Sequence, residues 1–186
     1  MKLGNLMVTY KKEIIIPKKS PGGTGFQPVQ NFHCTKRNLP HWQLPGSVYF
    51  ITWRWLTGIT LSPAERHITL DALRHWHGIK WQLYAAVVMP DHVHALARPL
   101  SRPTGGAFDL AEILHSIKRF SARKINQERG VQGSLWQDER FDRIVRDEAE
   151  FLEKWQYIRN NPVKAGLAII TEEYPWLYEN DDLGTG

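Results

Sequence analysis

Apolar and polar positions follow different rules along this chain, and the changes of rule mark out its elements. Val48-Tyr49-Phe50-Ile51-Thr52-Trp53-Arg54-Trp55 is dense in β-branched and aromatic side chains, the composition of a buried strand. Ser62-Pro63-Ala64-Glu65 reads as a capping box with proline at the first helical position, and Ile68, Ala72, Leu73 and Trp76 then recur at helical spacing before Gly78. Lys80 to Val88 predicts a second strand. Pro90-Asp91 predicts a turn or bulge, with Asp91 shaping it, and a third strand runs from His92 to about Arg98. After a Pro/Gly loop over 99–107, Leu110, Ile113, Leu114, Ile117 and Ser121 form one stripe of a helix that starts near Asp109 and breaks at Gly130 to Gly133. Trp136 and the stretch Phe141 to Val145 predict one or two short strands. Asp147 and Glu150 make a second capping box, opening a helix with the apolar arc Phe151, Leu152, Trp155 and Ile158; Pro162 predicts its end near Asn161.

Mixed strands and helices with short strand-to-strand connections predict an α+β fold, an antiparallel sheet with helices packed on it, and not a doubly wound parallel fold. Residues 1–36, with Pro17, Pro21, Gly22, Gly23 and Gly25 and no sustained period, read as a flexible basic arm. The folded domain is expected over 37–178 and an acidic tail over 179–186. The one cysteine, Cys34, leaves no internal disulfide and no cysteine-rich zinc site, so the expected address is the cytoplasm. Neither a membrane span nor a secretory signal is legible. No GxxxxGK[ST] run is present and no GxGxxG follows a predicted strand, which argues against nucleotide hydrolysis.

The formal charge of +5 invites a nucleic-acid reading, but residues 1–40 carry seven Lys or Arg against one acid, which leaves the rest at 17 basic against 18 acidic. Any DNA contact in the body must therefore come from a local field. The dense cluster is Lys118, Arg119, Arg123 and Lys124, which predicts phosphate contacts.

Two histidines carry the candidate chemistry. His92 and His94 stand two apart on a predicted strand, so both imidazoles leave the same face and can grip one ion. His75 and His77, also two apart, end a helix, where such residues diverge by about 200° and cannot converge. A divalent ion on two histidines needs a further ligand and open positions, which favours Mg²⁺ or Mn²⁺ over a closed zinc site. Tyr157 lies outside the apolar arc of its helix with Asn161 one turn on, so a phenol and an amide oxygen share one face. A phenol, with pKa near ~10, is a poor nucleophile at neutral pH unless a cation polarises its target.

These stretches together resemble the REP-associated tyrosine transposases, within the single-tyrosine branch of the HUH endonucleases. The likeness rests on Leu39-Pro40-His41-Trp42 with Gly46 and Tyr49-Phe50-Ile51-Thr52, on Val88-Met89-Pro90-Asp91-His92-Val93-His94, and on Ser116-Ile117-Lys118-Arg119-Phe120. It continues through Leu135-Trp136-Gln137, Phe141-Asp142-Arg143 and Tyr157-Ile158-Arg159-Asn160-Asn161-Pro162-Val163-Lys164-Ala165-Gly166-Leu167. The resemblance implies a ferredoxin-like fold, His92, His94 and Asn161 as metal ligands and Tyr157 as nucleophile. It also implies action, as a monomer, on single-stranded DNA bearing palindromic hairpins, with a 5′-phosphotyrosine intermediate. Trp136 is a candidate base-stacking residue beside the basic cluster. A non-catalytic hairpin DNA or RNA binder and a water-using phosphodiesterase remain the competing readings.

Overall fold

The structure, a computed structural model, describes residues 33–36 and 40–180. The strands β1 (His33–Lys36) and β2 (Pro40–Gln43) pair antiparallel as a separate two-stranded sheet. Residues 33–36, expected in the arm, are thus strand; the remainder of the expected arm lies outside the described residues, as does the tail beyond Asn180.

The main sheet is built from β3 (Tyr49–Trp55), β4 (Trp81–Val88), β5 (His92–Pro99), β6 (Trp136–Ile144) and β7 (Leu177–Glu179), in the spatial order β6-β3-β5-β4-β7. Every pairing is antiparallel. With α1 (Pro63–His75) between β3 and β4, and α2 (Leu110–Arg129) between β5 and β6, the chain order β-α-β-β-α-β is that of a ferredoxin-like α+β fold. One nine-residue strand, β6, replaces the one or two short strands expected there.

Alternation along β3 divides the core. Tyr49, Ile51, Trp53 and Trp55 pack beneath α1 and α2 with Leu73, Trp81, Ile113 and Ile117. Phe50, on the opposite face, joins Leu96, Phe151, Trp155 and Ile158 beneath α3 (Glu148–Lys164). The predicted capping box is complete at α1; at α3 the Asp147 half is present, while the Glu150 carboxylate accepts from the Arg146 N–H instead of closing the box. Ser62 and Glu65 exchange hydrogen bonds at the start of α1, and Arg129, in the last turn of α2, holds the Glu65 carboxylate. Asp147 accepts from the Glu150 N–H at 2.8 Å to open α3.

The expected stop of the last helix at Asn161 is corrected: α3 runs through Pro162 to Lys164. In the final turn proline forfeits a single intrahelical hydrogen bond. The chain turns at Gly166, whose φ of +68° is in the left-handed region that glycine adopts freely.

Candidate active site

Because α3 packs over β4 and β5, its exposed edge looks onto the face of the sheet that carries the histidines. Antiparallel register places Thr52 opposite His94 and Arg54 opposite His92. These four side chains share one face with Phe50, and α3 brings Tyr157 to them. The Tyr157 ring centroid lies 5.1 Å from that of His94 and 5.8 Å from that of Phe50, edge-on to both. Phe50 in turn stacks on His94 at 5.5 Å, and the two histidine rings are 4.6 Å apart. Two predicted features distant in sequence, the histidine pair and the tyrosine helix, therefore meet.

Hydrogen bonds orient both imidazoles. His94 Nδ1 lies 2.7 Å from the Thr52 hydroxyl, while its Nε2 is buried with no hydrogen-bond partner. His92 Nδ1 lies 2.6 Å from an Asp91 carboxylate oxygen. A carboxylate only accepts, so Nδ1 carries the proton, and in the ring's neutral form the lone pair lies on Nε2. Arg54 holds the other Asp91 oxygen at 3.3 Å. Asp91, expected to shape the turn, also directs its side chain back to the histidine and fixes its tautomer.

Burial, then the neighbouring charges of His92 and Arg54, push His94 down to about 3, against the opposing pull of Asp91. His94 is therefore neutral at physiological pH, with a lone pair available. Asn161 lies one turn beyond Tyr157 on α3 and is half-buried. Among the described residues, no three His, Cys, Asp or Glu side chains gather into a metal-binding group. The Lys164 ammonium lies 5.7 Å from the Tyr157 ring centroid.

The remaining candidates lie elsewhere. The basic cluster is on α2, across the sheet from the histidines. Lys118 and Arg119 line a groove of about 510 Å³ between α2 and β6, together with His115 and Arg140. Arg123 and Lys124 are exposed on the same helix outside that lining. Trp136 is corrected from a base-stacking candidate to a core residue. It is buried, packs on Trp55 and Trp53, and donates its indole N–H to the Lys118 carbonyl at 3.0 Å. The control histidines do diverge: His75 packs edge-on to Trp76, and His77 Nδ1 accepts from the Leu83 N–H.

Phe50, Thr52, Arg54 and Lys164 were not singled out by sequence reasoning as site residues. Period-two alternation places Phe50, Thr52 and Arg54 on one face of their strand, but only the β3–β5 register sets them against the histidines.

Residues 71–161 match the model of the family described as "Transposase IS200 like", a stretch that contains His92, His94, Tyr157 and Asn161. Over that stretch, just under half of the chain, this protein is similar to that family. A curated relative, a putative REP-associated tyrosine transposase of Haemophilus influenzae, is 22% identical over 101 residues, which is 52% of this chain. The match spans 57% of that relative's length. A REP-associated tyrosine transposase solved bound to a REP hairpin shares the fold with a TM-score of 0.62 at 19% identity, covering 76% of this chain and 82% of that one. No helix among the described residues is long and apolar enough to cross a membrane.

Proposed function

We propose that this protein is a metal-dependent single-stranded DNA endonuclease and strand transferase that cuts and rejoins DNA at palindromic, REP-type hairpins through a 5′-phosphotyrosine on Tyr157. The observation that carries the reading is the seating of the Tyr157 ring against His94, 5.1 Å between centroids, beside an unpartnered buried Nε2.

The donor set fits a divalent cation, Mg²⁺ or Mn²⁺. His92 and His94 each have Nδ1 occupied by a neighbouring side chain, and in each the other ring nitrogen serves as ligand once Nδ1 carries the proton. Asn161 supplies a neutral oxygen. Such an ion, when bound, polarises the scissile phosphate and offsets the charge that develops on it.

The chain's own groups do the rest. The Tyr157 oxygen attacks phosphorus and loses its proton to solvent. The P–O3′ bond breaks, the departing oxygen takes up a proton as a 3′-hydroxyl, and the 5′-phosphate stays on the tyrosine. Attack by a 3′-hydroxyl reverses the step, so strands rejoin without a nucleotide cofactor. Phe50 packs against both Tyr157 and His94 and limits the tilt of each ring. Lys164 offers a cation to the incoming phosphate from the same helix. A monomer suffices in this reading, because histidines and tyrosine meet within one chain.

Tyr157→Phe keeps the ring and its packing and removes the nucleophile. Hairpin binding should stay near wild type, while the covalent adduct seen on denaturing gels with labelled hairpin DNA disappears. Mass spectrometry of the wild-type adduct should place the nucleotide on Tyr157; an adduct on another tyrosine, or cleavage without any adduct, would sink the proposal.

A further inference from the structure

Three aliphatic side chains stand open just after α3. Leu167 is 44% exposed, Ile169 85% and Ile170 51%. The segment that carries them is anchored, because Ala168 packs against the core beneath α3 and Thr171 is buried. Its backbone is tied as well: the Leu167 N–H donates to the Pro162 carbonyl at 2.9 Å, and the Glu173 N–H to the Ile170 carbonyl at 3.2 Å. Both isoleucines are thus presented outward on a fixed turn. Aliphatic groups clustered in this way mark a place that something covers.

The flanking chemistry narrows what the cover is. Glu172 and Glu173 follow directly and are exposed, so nucleic acid or an acidic membrane surface is repelled from the turn. Arg159 pairs with Glu172 and Glu179, one cation against two of the three carboxylates. The C-terminal end of α3, capped at Ala165, adds the negative pole of a helix. Three side chains fall well short of the roughly 800 Å² per partner that a standard protein–protein interface buries, which argues against a second copy. The cover that fits is short, aliphatic and basic.

A segment of this same chain has that composition. Ile14-Ile15-Ile16 follows Lys11-Lys12-Glu13 and precedes Pro17-Lys18-Lys19. These residues lie outside those described, but their reach is fixed by the chain. The turn adjoins Tyr174, whose hydroxyl donates to the Val88 carbonyl at the His92 end of the sheet, whereas β2 leads into β3 at Tyr49, opposite Ala97 at the other end. The arm must therefore cross about one strand length, ~26 Å for the eight residues of β5. The 17 residues from Ile16 to His33 extend to about 55 Å, which is ample.

We infer that residues 11–19 dock on the turn after α3 of their own chain, with the isoleucines against Leu167, Ile169 and Ile170 and the lysines facing Glu172, Glu173 and the end of α3. The docked arm covers the apolar turn at the end of the helix that carries Tyr157. This assignment is independent of the nuclease reading.

Amide hydrogen exchange on the full chain tests it. In wild type the amides of Ile14, Ile15 and Ile16 should be protected. Ile169→Ser/Ile170→Ser should speed their exchange by at least about tenfold, the worth of about one buried aliphatic side chain, and leave β5 and α2 as they are. Since both positions are exposed, the core of this variant is intact. Ile15→Asp should reciprocally speed exchange over 167–173. Carbodiimide cross-linking of mixed unlabelled and isotope-labelled chains should join Lys18 or Lys19 to Glu172 or Glu173 within one chain. Mixed-label cross-links would overturn the docking within one chain and give the turn to a second copy. Exchange at Ile14 to Ile16 as fast as in an unstructured peptide, or protection there that survives the Ile169/Ile170 change, would overturn the docking itself.

Discussion

Thr52 and Asp91 each hold one imidazole by Nδ1, and so decide which nitrogen of each histidine is presented to the space beneath Tyr157. Loss of such a supporting group lowers metal affinity by about 10–100-fold in comparable sites. Thr52→Val keeps the shape of the side chain and removes the oxygen, so cleavage should require at least about tenfold more Mn²⁺ and recover in part when it is supplied. A metal-titration curve that superimposes on wild type would show that the threonine merely packs. The residue types were legible here, because two histidines on a strand and a tyrosine outside an apolar arc stand out in the sequence. Trp136 shows the other case: nothing in a lone tryptophan separates stacking on a base from stacking on Trp55.

At the scale of elements, the carboxylates at the starts of α1 and α3 bear a load that pH can probe. Glu65 is held below the ordinary carboxylate value of 4.5, chiefly by hydrogen bonds from Arg129, and Glu150 likewise, chiefly by the Arg146 backbone N–H. A depressed folded value means the unfolded chain binds more protons in acid. The stability these groups contribute is therefore present above about 4.5 and is lost as pH falls through and below it. Thermal unfolding followed from pH 7 to pH 3 should show the midpoint falling in that window. Glu150→Ala should cost roughly 2 kcal/mol at pH 7 and flatten the acid limb, because charged-group hydrogen bonds vanish with it. An acid limb as steep as wild type's would place the titration elsewhere. Caps and stripes were readable because they are local, set within one or two turns. The passage of α3 through Pro162 was not, since a proline's cost depends on how much helix follows it, and the stop is set by Gly166.

Across the whole molecule the sheet has two different faces. Beneath α3 lies the tyrosine–histidine site, while Lys118 and Arg119 line the α2–β6 groove on the other side. If that groove receives hairpin phosphates, a Lys118→Ala/Arg119→Ala double variant should bind hairpin DNA more weakly, with a salt dependence shallower by roughly one to two units of log–log slope, and should still form the tyrosine adduct. An unchanged slope would assign both charges to solvent. The alternation of Phe50, Thr52 and Arg54 against Tyr49, Ile51 and Trp53, the stripe of α2 and the caps at Ser62 and Asp147 belong to the sequence itself, because each depends only on the period of one element. Those patterns determined the α+β class and nominated His92, His94, Tyr157 and Asn161. Which strand lies beside which, and in what register, depends on contacts between residues far apart in the chain, for which a single sequence carries no signal. Tertiary structure alone therefore set Thr52 against His94, turned Asp91 back onto His92, seated Tyr157 beside Phe50 and buried Trp136.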